Sequence, residues 1–253
     1  MRKILSKRNA YLVHRWLGLI VGVQLLAWSV GGFTFSILDI ENVRGNMDRT
    51  KEPLPTVRAE RVQLSPAEAI AAAARQGLDS ETVTRVVLRE RFDRTVYELF
   101  GAKRRPLGAV DAVSGAFPLR VSEEEASRLA LSDFAPEATV ESVQLLEGEP
   151  PYEFRGRLMP VYQVILDHPK HPHLYVSPVT GEILARRNRV WRIFDFFWML
   201  HIMDYRQREN FNHWLLTTMS VLAILTSASG LILWWWRMPF RRRRVSARAS
   251  PSR

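Results

Sequence analysis

The chain has 253 residues, a formal net charge of +10 and no cysteine. The absence of cysteine excludes disulfides, thiolate metal ligands, cysteine nucleophiles and covalently attached c-type haem. Residues 1–15 carry five basic residues and residues 237–253 carry seven, while residues 16–236 hold 24 basic against 26 acidic residues. The positive charge therefore lies at the two ends rather than in a basic groove, which argues against nucleic acid as a partner.

Two uncharged segments, residues 16–38 and 214–236, are each 23 residues long. As helices they would be about 34 Å long, enough to cross a bilayer. A signal peptide is the alternative for the first segment, but its apolar stretch is too long and no small-residue cleavage site follows it. Three tryptophans end the second segment as an interfacial belt just before Arg237. Both segments are therefore predicted to be transmembrane helices in contact with membrane lipid.

The basic ends predict the orientation of these helices. Because cytoplasmic flanks carry the excess of Lys and Arg, residues 1–15 and 237–253 are expected in the cytoplasm and residues 39–213 on the opposite side. In a Gram-negative bacterium that side is the periplasm. The Arg- and Ser-rich tail, residues 237–253, is predicted to be disordered. Its arginines at 241–244 are interpreted as a stop-transfer anchor.

After a linker over residues 39–59, the middle of the chain contains an internal repeat, residues 60–119 and 120–188. Each copy begins with a Ser and a Glu three positions apart, the capping-box pattern of a helix start, and the two patterns are 57 residues apart. Alternating apolar residues then predict strands over 82–88 and 139–145. The matching residues are Ser65 with Glu68, and Ser122 with Glu125.

Two further matches follow in the same order. Strands around Tyr97 and Tyr162 are offset by 65 residues, and glycine turns at Gly115 and Gly181 by 66. The offset grows because the second copy has extra residues near 147–156. The predicted fold class is therefore an α+β membrane protein, in which two transmembrane helices flank a duplicated extracytoplasmic unit of one helix and an antiparallel sheet. Residues 189–206 are predicted to form an amphipathic helix at the membrane interface.

The repeat order of helix, strand, Tyr-containing strand and strand ending at a Ser/Thr-Gly turn resembles the PepSY domain, present here twice. His14-Arg15-Trp16-Leu17-Gly18-Leu19 resembles the opening of the PepSY-associated transmembrane family. Leu200-His201-Ile202-Met203-Asp204-Tyr205 and Asn212-His213-Trp214 resemble its closing segment. Larger members of this family, with four or more transmembrane helices, include b-haem ferric-siderophore reductases of the bacterial inner membrane. The resemblance implies an inner-membrane protein with a periplasmic central region.

Three histidines at the membrane boundaries, His14, His201 and His213, are the candidate haem b ligands. With no cysteine, a b-type haem held by imidazoles is the cofactor that this set fits. About 34 Å of bilayer separates His14 from His213, so these two cannot hold one iron. His201 is expected to fold back toward His213. His14 would need Met238, or a second copy of the chain in a homodimer, or a partner membrane subunit.

A second histidine group, His168, His171 and His173, occupies one loop. Such a tract can bind metal, although a solvated hairpin loop is the favoured interpretation. Nucleophile elbows, phosphate loops and HExxH motifs are absent from the sequence, which leaves the question of an enzyme open.

Two functions are consistent with these features of the sequence. The first is b-haem electron transfer linked to the reduction of ferric chelates such as siderophores, with electrons from a partner or the quinone pool. The alternative is a non-enzymatic, membrane-anchored PepSY module that binds or inhibits a peptidase or an envelope partner.

Overall fold

The computed structural model describes residues 7–51, 56–92 and 94–237, which fall into two compact units. The helical unit comprises residues 7–37 and 194–237, and the α+β unit comprises residues 38–193. The tail from residue 238 onward, including Met238 and the arginines at 241–244, lies outside the described residues. Its predicted disorder and anchoring role therefore stay predictions.

The helical unit is built on two long apolar helices, α1 (Lys7–Ile37) and α6 (Trp214–Arg237). Their candidate membrane spans are Tyr11–Ile37 and Trp214–Arg237. Only 17% and 11% of the most apolar windows are buried, whereas the core helix of a soluble protein is largely covered. Helices with apolar side chains exposed around their circumference suit a lipid environment, because all their backbone groups are hydrogen-bonded internally. The two predicted flanking helices are thus confirmed.

The first half of the α+β unit contains one helix and a three-stranded sheet. A short helix, α2 (Ile40–Val43), precedes it, and α3 (Pro66–Arg75) begins at a complete Ser65/Glu68 capping box. The antiparallel strands lie in the order β1, β2, β3. Their bounds are β1 (Arg85–Arg91), β2 (Arg94–Phe100) and β3 (Pro106–Asp111). Strand β1 begins three residues later than predicted, because residues Ser80–Thr82 form a 3-10 turn capped by Asp79.

The second half repeats this arrangement with one strand more. Helix α4 (Glu123–Asp133) begins at a complete Ser122/Glu125 capping box. The antiparallel strands lie in the order β4, β5, β6, β7. Their bounds are β4 (Thr139–Leu146), β5 (Val161–Asp167), β6 (His173–Val176) and β7 (Ile183–Arg187). Helix α5 (Arg189–Ile202) follows β7 directly.

The two sheets share one register. Tyr97 of β2 lies opposite Leu88 and Val110. The corresponding residues of the second sheet are Tyr162, opposite Leu145 and Val176. The offset is 57 residues between Leu88 and Leu145, 65 between the two tyrosines, and 66 between Val110 and Val176. These are the offsets that the sequence repeat predicts. The central region is therefore a duplicated unit, and the two tyrosines are equivalent.

Each copy has its own apolar core between its helix and its sheet. In the first, Ala69 and Ala73 of α3 pack with Tyr97 and Leu99. In the second, the residues in the same places are Ala126, Ala130, Tyr162 and Val164. The small alanines allow each helix to lie close to the sheet, and burial of each large side chain contributes about 1.5–3 kcal/mol.

Candidate functional site

His14 forms a polar contact between the two long helices of the helical unit. Its Nδ1 lies 2.7 Å from Ser229 Oγ on α6. The Ser229 hydroxyl in turn donates to the Thr226 carbonyl oxygen at 2.8 Å. When the hydroxyl hydrogen is directed to Thr226, Nδ1 donates to Ser229 Oγ and Nε2 carries the free lone pair. We call His14, Thr226, Ser229 and Gly230 the His14 site.

Gly230 gives the His14 imidazole its space. A Cβ atom at this position would lie 3.2 Å from His14 Cε1 and 3.8 Å from Nε2. The first distance is closer than an ordinary van der Waals contact, so a larger side chain here would displace the ring. The same ends of the helices are joined by Arg237, whose Nε donates to the Tyr11 hydroxyl at 3.0 Å.

At the other end of the helical unit, side chains satisfy the last backbone carbonyls of α5. Gln24 Nε2 donates to the Leu200 carbonyl oxygen at 3.0 Å, and Trp28 Nε1 donates to that of His201 at 2.8 Å. His213 Nε2 lies 2.9 Å from the Ile202 carbonyl oxygen. Terminal helix carbonyls have no partner within the helix, so these bonds fix the position at which α5 ends.

The imidazole of His201 lies among three aromatic rings. Its ring centroid is 6.1 Å from that of Trp28, 5.8 Å from Phe35 and 6.4 Å from Trp198. Its Nδ1 is buried and has no hydrogen-bond partner among the described residues. A buried polar atom without a partner costs free energy, which marks this nitrogen as one that a ligand would satisfy. We call His201, Trp28, Phe35 and Trp198 the His201 site.

His213 uses both ring nitrogens within the protein. Its Nδ1 accepts a 3.4 Å hydrogen bond from the backbone N–H of Leu216, in the first turn of α6. Its Nε2 is then the protonated nitrogen and donates to Ile202. His213 therefore acts as the N-cap of α6, and no nitrogen is left to share an iron with His201 in this arrangement.

The His14 and His201 sites are separate. His201 contacts α1 at Trp28, fourteen residues beyond His14. That interval corresponds to about 21 Å along a helix. One iron cannot bind both imidazoles, so each would hold its own group with a second ligand from elsewhere.

The loop between α5 and α6 is stabilised around two aspartates. Asp195, buried in α5, forms an ion pair with Arg208. Asp204 accepts hydrogen bonds from the backbone N–H groups of residues 206, 207, 209 and 210. Partial burial raises the pKa of Asp204, but these four donors outweigh it and lower the pKa to about 2. This rigid loop brings His213 back to the end of α5.

His168 and His171 lie in the loop between β5 and β6, whereas His173 is the first residue of β6, and the three have different surroundings. His168 packs edge-on against Phe134, and its Nδ1 accepts from the Lys170 backbone. His171 is exposed, and His173 contacts Glu153. Within the residues that the structure describes, no group of three or more His, Asp or Glu side chains is arranged to hold a metal ion. The metal interpretation of His168, His171 and His173 thus finds no support in the structure, and the loop is a hairpin connection.

Glu153, in the insertion of the second repeat, joins that repeat to the start of α5. Its carboxylate is buried and lies 2.8 Å from His173 Nδ1 and 2.7 Å from Arg192 Nε. The Tyr175 hydroxyl donates to it at 3.3 Å. Burial raises the pKa of Glu153, but the bonds from His173 and Arg192 outweigh burial and hold the pKa at about 2. The carboxylate is therefore charged at neutral pH and stabilises the first turn of α5.

Sequence reasoning identified His14 and His201 but not the groups that orient them. Ser229 is 215 residues from His14, and no local pattern distinguishes it from the other small residues of α6. Gln24 is the single amide within either span, and the sequence does not show that it bonds to the Leu200 carbonyl at the end of α5.

Comparison with known proteins identifies the family to which the chain belongs. No curated protein and no solved structure matches the chain. The model of the PepSY-associated TM region matches residues 11–252, which is almost the whole chain. With two apolar helices flanking a duplicated α+β unit, the chain is a membrane protein and belongs to the PepSY-associated transmembrane family.

Proposed function

We propose that this protein transfers electrons across or along the bacterial inner membrane through haem b and thereby reduces ferric chelates. The observation that carries this proposal is the His14 site, in which the hydrogen bond to Ser229 engages Nδ1 of a helix-borne imidazole and leaves Nε2 outside it. Histidines that bind metals in proteins usually donate their other ring N–H to a neighbouring oxygen, and Ser229 Oγ would fill that role for His14.

Two observations fit imidazole side chains that would hold haem b. The hydrogen bond of His14 to Ser229 uses Nδ1 and leaves Nε2 outside it. His201 has a buried, unpartnered Nδ1 among aromatic rings. Haem b would supply a one-electron carrier at these positions. The second ligand would come from a second copy of the chain or a partner membrane subunit.

The residues around these imidazoles have distinct roles in the proposal. Ser229 and Thr226 hold the His14 tautomer, while Trp28 and Phe35 exclude water from His201. His213 caps α6 and is a positioning residue rather than a ligand. In the net reaction, one quinol reduces two ferric chelates to their ferrous forms and is released as the quinone with two protons; a one-electron membrane partner reduces one ferric chelate.

The location follows from charge and hydropathy. The excess of arginine and lysine at both ends favours cytoplasmic termini, with the α+β unit in the periplasm.

The test is the haem content of the full chain, purified in detergent from cells supplied with haem. Pyridine-haemochrome spectra are recorded for wild type and for His14→Ala, His201→Ala and His213→Asn. We expect haem in the wild type, a clear loss in the first two variants and full content in the third. A colourless wild type, or full haem content in both alanine variants, would refute electron transfer and favour the non-enzymatic PepSY module.

A further inference from the structure

A cavity of about 510 Å³ lies in the α+β unit, between the two repeats. Its walls come from the loop that joins β2 to β3, the segment 156–160 before β5, and the turn 177–182 after β6. Small-molecule sites in proteins typically have volumes of roughly 300–1,000 Å³. The cavity therefore has the size of a ligand site, and it lies outside the two histidine sites described above.

Four arginines line this cavity, against a single acidic residue, Glu182. The four are Arg104, Arg105, Arg120 and Arg157. None of them forms an ion pair with another residue in the described part of the chain. Guanidinium groups bind carboxylates with two parallel hydrogen bonds, so an unpaired set of this kind favours an anionic, carboxylate-bearing ligand.

One of these guanidinium groups is held in place by the protein itself, and a second arginine has a fixed backbone. Arg157 donates from Nη1 to the Leu184 carbonyl oxygen at 2.6 Å, and its guanidinium lies 5.7 Å from the Phe154 ring centroid. Arg105 is fixed through its backbone, because its carbonyl accepts from the Gly101 N–H at 2.8 Å. Preorganised donors lose less conformational entropy when a ligand binds.

The rest of the lining is apolar. Phe100 and Leu107 contribute from the first repeat, and Leu158, Met159 and Val179 from the second. A small hydrated anion would leave these surfaces without a partner. An anion with aromatic or other apolar faces would satisfy both the arginines and the apolar walls.

We propose that this cavity binds an anionic, carboxylate-bearing metal chelate with aromatic faces. The choice of a metal chelate rests on the proposed function, whereas the anionic and apolar character of the ligand rests on the lining alone. The cavity would thus select the chelates that the protein reduces and discriminate against neutral ones.

Isothermal titration calorimetry on the full chain in detergent tests this inference with gallium(III) complexes, which bind like ferric ones but accept no electron. One complex carries two phenolate rings, two carboxylates and one negative charge, and the other is a neutral trihydroxamate. We expect saturable binding of the anionic complex and at least tenfold weaker binding of the neutral one. Arg105→Glu and Arg120→Glu should each weaken binding of the anionic complex about tenfold or more.

Lys103→Glu is the matched control. Lys103 neighbours Arg104 in the same exposed loop and carries the same charge, but it does not line the cavity. We expect this variant to bind as wild type does, and Arg105→Gln to show a smaller loss than Arg105→Glu. Absence of saturable binding by wild type, equal binding of the neutral complex, or an equal loss in Lys103→Glu would overturn the inference.

The two proposals fail separately. Protein without haem that still binds the anionic gallium complex would refute the proposed electron transfer and support the cavity. Haem-loaded protein that does not bind this complex would refute the cavity inference alone.

Discussion

His14 Nδ1 on α1 lies 2.7 Å from the Ser229 hydroxyl oxygen on α6, and the two groups share a hydrogen bond. The same hydroxyl lies 2.8 Å from the Thr226 carbonyl oxygen, and when its hydrogen is directed there the imidazole donates from Nδ1. A half-buried serine thus engages one nitrogen of His14 and leaves Nε2 outside this hydrogen bond.

Ser229→Ala should weaken haem retention at the His14 site. Loss of the acceptor frees the imidazole to rotate and to exchange tautomers, and loss of such an outer partner typically weakens metal binding about 10–100-fold. The measurement is haem retained after extended dialysis, together with the reduction potential of the remaining haem. Ser229→Thr, which keeps the hydroxyl, should restore both values. Ser227→Ala removes an exposed hydroxyl of the same helix, and an equal loss there would contradict a specific role for Ser229.

His213→Ala should destabilise the helical unit without removing haem. The substitution deletes the N-cap bond to Leu216 and the bond to the Ile202 carbonyl, and loss of an N-cap costs about 0.5–2 kcal/mol. His213→Asn keeps a capping oxygen and should lose less stability. Thermal unfolding in detergent measures both variants. A normal melting curve combined with loss of haem would instead identify His213 as a ligand.

Much of the α+β unit is predictable from local sequence. Capping boxes and period-two alternation act over a few residues. The capping box at Ser122 therefore predicts a helix start, and the alternation around Tyr162 predicts a strand, without knowledge of the rest of the fold. The repeat then predicts the register, since equivalent residues must bury the same faces. The extra strand β7 was not predicted, because residues 183–187 carry only a short apolar pattern next to arginines.

The contacts of the helical unit are much less predictable. The bonds from Gln24 and Trp28 to α5 join residues more than 170 positions apart, and each depends on where α5 ends. The N-cap role of His213 is equally difficult to predict from the sequence, because histidine is not among the usual capping residues. The haem-ligand role of His14 and His201 therefore stays a prediction, and the surroundings of their ring nitrogens depend on tertiary contacts that the sequence does not show.

Glu153→Gln should remove a pH-dependent part of the stability. The folded-state pKa of about 2 lies below the ordinary value of 4.5, so the charged carboxylate stabilises the fold above pH 4.5 and this contribution is lost as pH falls toward 2. At neutral pH the variant should be less stable by about 3 kcal/mol.

Denaturant unfolding of the full chain in detergent at several pH values measures this effect. The gap between wild type and Glu153→Gln should narrow as pH falls through the interval from 4.5 to 2. Glu60→Gln, at an exposed glutamate outside the network, should follow wild type at every pH. Parallel stability curves for wild type and Glu153→Gln would show that the contacts of Glu153 with His173 and Arg192 do not contribute to the pH dependence of stability.

The proposed topology can be tested with single cysteines, because the chain has none of its own. Glu137→Cys lies at an exposed position of the α+β unit, and Ser246→Cys lies in the basic tail. In intact cells of a Gram-negative host, a membrane-impermeant maleimide should label the first variant and not the second. Labelling of Ser246→Cys alone would show the opposite orientation, with the basic tail outside the cytoplasm.

The most direct measurement is the reoxidation of the purified, haem-loaded protein by a ferric chelate. Wild type is reduced under anaerobic conditions and mixed rapidly with ferric EDTA, an anionic carboxylate chelate, while haem absorbance is followed. We predict reoxidation at a rate that rises with chelate concentration, with one ferric ion reduced per electron. The gallium complex of the same chelator should cause no reoxidation. Reduced haem that stays reduced in the presence of ferric EDTA would contradict the proposed electron transfer.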